Sequence, residues 1–234
     1  FVYSYMYKLF FIVLIIPSFI YSATINVPED YPTIQEGIDA AATGDTVFIA
    51  MGTYSPETGE NFPIIMISNI NLIGEDEETT ILDAQQTGTV VTMENCENNT
   101  ISDLTIKGGA GINGGGMYLR ESNPLLNHVT IRNNTSTFYG GGMHLRESNP
   151  TLTYVTISHN TAISGGGMSL EESNPILTYV LISYNIIPND GGGMFLSRSN
   201  PTLIHVTISH NTANEGQGML LNSSAPTVIN SIVW

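Results

Sequence analysis

The chain has 234 residues, 21 acidic against 6 basic side chains and a formal net charge of −15, yet only 12% of its residues are charged and 23 are glycine. That length suits one elongated domain better than two globular ones. With no basic patch to displace counterions, the composition excludes nucleic acid as a partner and describes an acidic, soluble surface.

Residues 1–23 read as a targeting segment. Lys8 precedes an apolar run from Leu9 to Ile20, and Tyr21-Ser22-Ala23 supplies small residues for cleavage. The run is short for a membrane span, so a secretory signal peptide is expected, with Met6 as the natural start and an uncleaved anchor as the alternative. Residues 24–234 then form one domain, with a cap and irregular coils over 24–110 and regular repeats over 111–234. Thr24 to Val27 reads as a first strand. Thr33-Ile-Gln-Glu36 is a capping box, Ile34, Ile38 and Ala41 line one face of a short helix, and Gly44 ends it. Strands are expected over Asp45 to Ala50, Ile64 to Ile73, Thr79 to Leu82 and Val90 to Met93. Between two of them lies the acidic run Glu75-Asp-Glu-Glu78, a solvated loop or, alternatively, a calcium site. The single cysteine, Cys96, has no internal disulfide partner and no nearby His in sequence. It reads as a small buried residue, not a nucleophile.

From Gly114 onward one phrase is repeated five times: Gly114 to Leu119, Gly140 to Leu145, Gly165 to Leu170, Gly191 to Leu196 and the degraded Gly216 to Leu221. A Ser-Asn-Pro turn follows the first four copies and a variant follows the fifth. The prolines at 124, 150, 175, 201 and 226 lie 26, 25, 26 and 25 residues apart. Such a period means stacked supersecondary units. Within each unit the apolar residues fall two apart: Met and Leu of the glycine phrase, a Leu126, Leu152, Leu177, Leu203, Val228 column, and pairs such as Val129/Ile131 and Val155/Ile157. This alternation belongs to strands, roughly three to five residues long and three to a repeat. No segment is long enough for a crossover helix. The prediction is an all-β parallel solenoid of about seven coils, roughly 35 Å long at the strand spacing, with the short helix capping its N-terminal edge. Two Asn columns recur in register, Asn123, Asn149, Asn174, Asn200 and Asn134, Asn160, Asn185, Asn211. Asn suits bends and can hydrogen-bond coil to coil, so both read as structural ladders.

Tyr31-Pro-Thr-Ile-Gln-Glu-Gly-Ile-Asp-Ala-Ala41, Gly44-Asp-Thr-Val-Phe-Ile49, Gly52-Thr-Tyr54, Asn71-Leu-Ile-Gly-Glu75 and Thr80-Ile-Leu-Asp83 resemble the opening coils of the pectin-lyase-like superfamily. Pectin methylesterases are the nearest enzymes with such an opening. The later phrase, as in Val155-Thr-Ile-Ser-His-Asn-Thr-Ala162 and Gly165-Gly-Gly-Met168, resembles the repeats of polymorphic outer-membrane proteins and of bacterial β-helix surface proteins. These resemblances imply a right-handed parallel β-helix; the N-terminal signal points to a secreted or cell-surface (outer-membrane) location, and the exposed sheets to contact with extracellular polysaccharide or a cell-surface glycan. The enzymatic signatures of the superfamily do not carry over. After Lys107 the only aspartate is Asp190, and the methylesterase and polygalacturonase motifs are missing.

Several columns remain as candidate sites. Arg120, Arg146, Glu171, Ser197 and Asn222 stand four residues before the prolines, with Glu121, Glu147, Glu172, Arg198 and Ser223 beside them. Surface ion pairing is the favoured reading, and a strip holding an acidic sugar through Arg120 and Arg146 is the functional one. Tyr118, His144, Ser169, Phe195 and Leu220 form an outward column, and His128, Tyr154, Tyr179 and His205 with His159, Tyr184 and His210 form two more. Such rings, aligned on a flat sheet, would stack on one another or against sugars. No column has His in adjacent coils, which argues against a metal. The residues nominated for a ligand are therefore Tyr118, His144, Phe195, Arg120 and Arg146, with no catalytic and no metal-binding residue. The expectation is a monomeric, non-catalytic exported repeat protein serving adhesion, glycan contact or scaffolding, without cofactor unless calcium binds. A membrane would be reached only through an anchor beyond this sequence. The alternative is a divergent polysaccharide-active enzyme of lyase, esterase or hydrolase type. The chain stops inside a coil at Trp234, which suggests a fragment.

Overall fold

The computed structural model describes residues 22–234, so the expected signal peptide lies almost wholly outside the described residues. From Thr24 on, the chain winds as a right-handed parallel β-helix, the hand that parallel crossovers almost always take. A long sheet runs through Thr24–Val27, Thr46–Ile49, Asn71–Gly74, Thr100–Lys107, Leu125–Arg132 and Thr151–Ser158, then Ile176–Thr178, Thr202–Ile204 and Thr227–Ile229. A second sheet has seven strands: Ile64–Ile65, Val91–Glu94, Met117–Arg120, Met143–Arg146, Met168–Glu171, Met194–Ser197 and Met219–Asn222. Each of its strands belongs to one complete coil, with a partial coil at either end.

Register follows from the repeat. Met117 pairs with Met143, then Met168, Met194 and Met219, and the leucines two residues on do the same. Both columns point inward, and from Met117 to Leu196 every member is fully buried. Leu126, Leu152, Leu177 and Leu203 with the Val/Ile pairs close the core from the other side, at 0–2% exposure. The glycine pairs let the coils approach. A Cβ on Gly142 would stand 2.6 Å from the Gly167 carbonyl oxygen, a backbone atom that cannot give way.

Three local expectations are corrected. The two predicted runs after each proline join into the single strands Leu125–Arg132 and Thr151–Ser158 across left-handed bends at His128 and Tyr154 (φ 50 and 54), where the coil-to-coil register skips one residue. In later coils they separate, as at Ile176–Thr178 and Leu181–Ser183. The stretch from Ile64 to Ile73 is broken into Ile64–Ile65 and Asn71–Gly74, with Asn69 left-handed between them (φ 65). The helix, Ile34–Ala40, is capped at Ala41 and stops short of Gly44, and the strand after it covers only Thr46–Ile49. Asp45 is used elsewhere: its carboxylate accepts from the Ala23 and Ala42 N–H groups, and these bonds lower its pKa.

The capping helix buries Ile34, Gly37 and Ile38 over the open end of the coil. Thr33 Oγ1 accepts from the Glu36 N–H at 3.2 Å. The carboxylate over the first turn is that of Glu60, buried, accepting from the Ile34 N–H at 2.6 Å and the Gln35 N–H at 3.4 Å. Desolvation raises its pKa against the lowering effect of those bonds.

Candidate functional site on the outer face of the seven-stranded sheet

Because inward Met and Leu alternate with outward residues, the register places two rows on the outer face. One is Tyr118, His144, Ser169, Phe195, Leu220 and the other Arg120, Arg146, Glu171, Ser197, Asn222. Tyr118 and His144 stack with centroids 5.7 Å apart and planes 5° apart. Tyr139, at the end of the strand Thr135–Tyr139, lies over the same imidazole at 5.7 Å and 26°. It is aimed there by Gly140, whose φ of 62 would strain any residue with a Cβ. His144 is therefore only 5% exposed, and its Nδ1 has no hydrogen-bond partner. Burial, then the Arg146 charge, lowers its pKa to about 4, so the ring is neutral at pH 7. Beyond it opens a cavity of 280 Å³ bounded by Tyr139, His144, Ser169 and Phe195, with Glu171, Ser197 and Asn222 along one side.

Of the nominated ligand residues, the structure brings His144 and Phe195 to this cavity, with Tyr118 one ring behind. It places Arg120 and Arg146 differently. Arg120 Nε stands 3.6 Å from Glu121, and Arg146 Nε lies 3.8 Å from Glu147 and 3.9 Å from Glu171. Arg198 reaches Glu171 at 3.5 Å and Glu172 at 2.7 Å. These pairs are half exposed and contribute about 0–1 kcal/mol each. Their consequence is that the guanidinium groups already face carboxylates of the same protein. Glu171 is the one carboxylate lining the cavity among the described residues.

The other two aromatic columns lie on bends, not on a flat sheet. His128, Tyr154, Tyr179 and His205 have φ of 50–55, and His159, Tyr184 and His210 have φ of 55–56. Left-handed backbone costs a residue with a side chain roughly 1–2 kcal/mol. Stacking returns about 0.5–1.5 kcal/mol per pair. Centroids along the first column are 5.0, 5.2 and 4.9 Å apart, and along the second 5.3 and 5.0 Å, with near-parallel planes. The inner faces of these rings are thus covered by one another. A sugar cannot stack on a face already occupied.

Both Asn columns form hydrogen-bonded chains, in opposite senses. In the buried one, Asn134 N–H donates to Asn160 Oδ1 at 3.0 Å, Asn160 to Asn185 and Asn185 to Asn211, each at 2.9 Å. Their Nδ2 groups donate to the Ile106, Ile131, Ile157 and Ile182 carbonyls. In the exposed one, Asn149, Asn174 and Asn200 donate backward to Asn123, Asn149 and Asn174. A third ladder escaped the sequence reading. Ser122, Ser148, Ser173 and Ser199 are fully buried, and each hydroxyl accepts the N–H of the residue one coil earlier. The serine of every Ser-Asn-Pro turn was its signal. Cys96 stands at its foot, donating its N–H to Ser122 Oγ and its thiol to the Met66 carbonyl. Burial raises the thiol pKa, which keeps it protonated.

The acidic run folds back on the sheet. Thr130 Oγ1 donates to the Glu77 carboxylate, Thr105 Oγ1 to the Glu77 carbonyl, and the Met51 N–H to Glu75. Asp76 accepts from the Glu78 and Thr79 N–H groups within its own turn. Among the described residues no three His, Cys, Asp or Glu side chains converge as metal ligands would.

A parallel coil with apolar columns inside and polar and aromatic columns outside defines the class of right-handed β-helix proteins. Residues 68–234 match the family described as "Right handed beta helix region", and the chain belongs to it. No curated protein sequence matches the chain. Among solved structures it is similar to ORF18 of Geobacillus virus E2, at 14% identity and a TM-score of 0.58, over 84% of this chain and 44% of that one. A pectin methylesterase in complex with a hexasaccharide gives 10% identity and a TM-score of 0.40, over 90% of this chain and 80% of that one. The A-module of the Azotobacter vinelandii mannuronan C-5 epimerase AlgE6 gives 14% and 0.30, over 85% and 93%. At such identities the likeness speaks for the fold alone. The chain spans less than half the length of the viral protein.

Proposed function

We propose that the chain is an exported or cell-surface β-helix repeat protein that works without catalysis, contacting a glycan through the outer face of its seven-stranded sheet. The observation that carries this reading is the cavity lined by the aromatic residues Tyr139, His144 and Phe195 together with the hydroxyl and amide side chains of Ser169, Ser197 and Asn222. That combination suits a ring with one apolar face and a polar rim. Glycoside hydrolysis needs two carboxyl groups flanking the bond, whereas Glu171 is the one that lines this cavity. Glu121, Glu147 and Glu172 sit on the bends beside it and are held by arginines.

The test is isothermal titration of the folded chain against neutral and uronic oligosaccharides, run beside assays for unsaturated uronic products, methanol and reducing sugar, with and without calcium. Binding without product is expected. Product well above a blank would replace this reading with that of a polysaccharide-active enzyme. Absence of binding would leave scaffolding.

A further inference from the structure

The outer face of the long sheet carries a second cavity, of 270 Å³, lined by Glu77, Glu78, Thr105, Thr130 and Arg132. The end of the strand Leu125–Arg132 alternates, so Thr130 and Arg132 point outward while Val129 and Ile131 are fully buried. The two outward residues stand roughly 6.6 Å apart along the strand. The acidic turn after Asn71–Gly74 is tied down over them by the next two coils. Thr105 Oγ1 donates to the Glu77 carbonyl at 2.9 Å, and Thr130 Oγ1 donates to the Glu77 carboxylate. Glu77 is thereby held at Thr130, and Arg132 is the next outward residue along the same strand.

Arg132 is the exception among the cations of the described residues. Lys107 pairs with Asp83, and Arg120, Arg146 and Arg198 all pair with glutamates. Arg132 makes no such pair, although two carboxylates line its own cavity. Its register partners do not offset it either. Lys107 stands on one side, a second cation whose carboxylate is already taken, and Ser158 stands on the other. Like charges side by side on a sheet are unfavourable. The guanidinium fork is therefore open to a ligand, as are the carboxylate oxygens that Thr130 does not use.

The lining sets the class of ligand. A carboxylate on the ligand would meet Arg132, whose planar fork presents two parallel N–H donors to it. Glu77 and Glu78 accept hydrogen bonds only, repel an anion and attract an ammonium group. A simple anion would satisfy Arg132 against that repulsion, and a simple cation would leave Arg132 as it was. A molecule carrying both groups serves both sides. Pockets for drug-sized ligands run from about 300 Å³ upward, so this cavity suits something smaller.

We propose that this cavity binds a small zwitterion of the α-amino acid class, with its carboxylate on Arg132 and its ammonium group on Glu77 and Glu78. The site is independent of the glycan-contact reading, because it lies on the other sheet and shares no residue with that cavity.

The experiment titrates L-alanine, L-lactate and ethylamine calorimetrically into the wild-type chain and into the Arg132→Gln and Glu77→Gln variants. Lactate carries a hydroxyl where alanine has its ammonium group, and ethylamine lacks the carboxylate. Circular dichroism and the thermal midpoint of each variant report folding. Glutamine at position 77 can still accept from Thr130, so that variant keeps the tie between coils. Alanine is expected to bind about tenfold or more tightly than either analogue, and each substitution should weaken it by about tenfold or more. Lactate bound as tightly as alanine would overturn the ammonium contact, and ethylamine bound as tightly would overturn the role of Arg132. Alanine binding unchanged in Arg132→Gln would overturn the site, as would a folded wild-type chain that binds none of the three.

Discussion

Asn160→Ala tests whether the buried amide ladder holds the coils together. Asn160 Oδ1 accepts from the Asn134 N–H and from Asn134 Nδ2, both at 3.0 Å. Its Nδ2 donates to the Ile131 carbonyl at 3.0 Å and to Asn185 Oδ1 at 3.1 Å. Truncation leaves two donors of Asn134 without acceptors in a place where Asn134 is 1% and Asn160 0% exposed. Each orphaned buried donor costs about 1–3 kcal/mol, so a loss of about 3 kcal/mol is expected. The matched control is Asn149→Ala, in the exposed ladder. It removes the acceptor of the Asn174 N–H, but water replaces it there, and the loss should stay below about 1 kcal/mol. Equilibrium urea unfolding followed by circular dichroism measures both. With a slope of about 3 kcal/mol/M, Asn160→Ala should lower the midpoint by about 1 M with the slope unchanged. Equal shifts in the two variants would refute the expectation that two donors orphaned in a buried ladder cost more than one left in water.

His144 makes stability depend on pH. Its folded pKa of about 4 lies below the 6.5 of an unperturbed histidine, so between these values the unfolded chain binds more protons. Its contribution is complete above about pH 6.5 and falls as pH drops toward 4, by about 3 kcal/mol in all. His144→Phe should remove this component from a urea-midpoint profile taken across that window, and an unchanged profile would contradict the burial argument. Tyr179→Ala breaks two stacks, at 5.2 and 4.9 Å, and should cost about 1–2 kcal/mol in urea unfolding. It should leave glycan affinity unchanged in titration calorimetry, since neither face of that ring is free.

Most of the fold was legible in the chain. Alternation of Met with Leu, and of Val with Ile, is a property of near neighbours, and its recurrence at a fixed period leaves stacking as the way to bury those faces. The capping helix was equally readable from Thr33, Ile34 and Ile38. What the sequence could align but not resolve was the meaning of the outer columns. The same register lists Tyr179 and Phe195 as exposed aromatic positions. Only the rings covering both faces of one, and the cavity beside the other, decide that Tyr179 is closed to a ligand and Phe195 open. His144 looked like one more outward residue until Tyr139 folded over it, whereas the ion pairing expected of Arg146 is what the structure shows, with Glu147 and Glu171 as its partners. Local alternation determines which way a side chain points, because that is set within two residues. What covers it is set by residues one coil away and by the loop between, and that was decided by the tertiary structure.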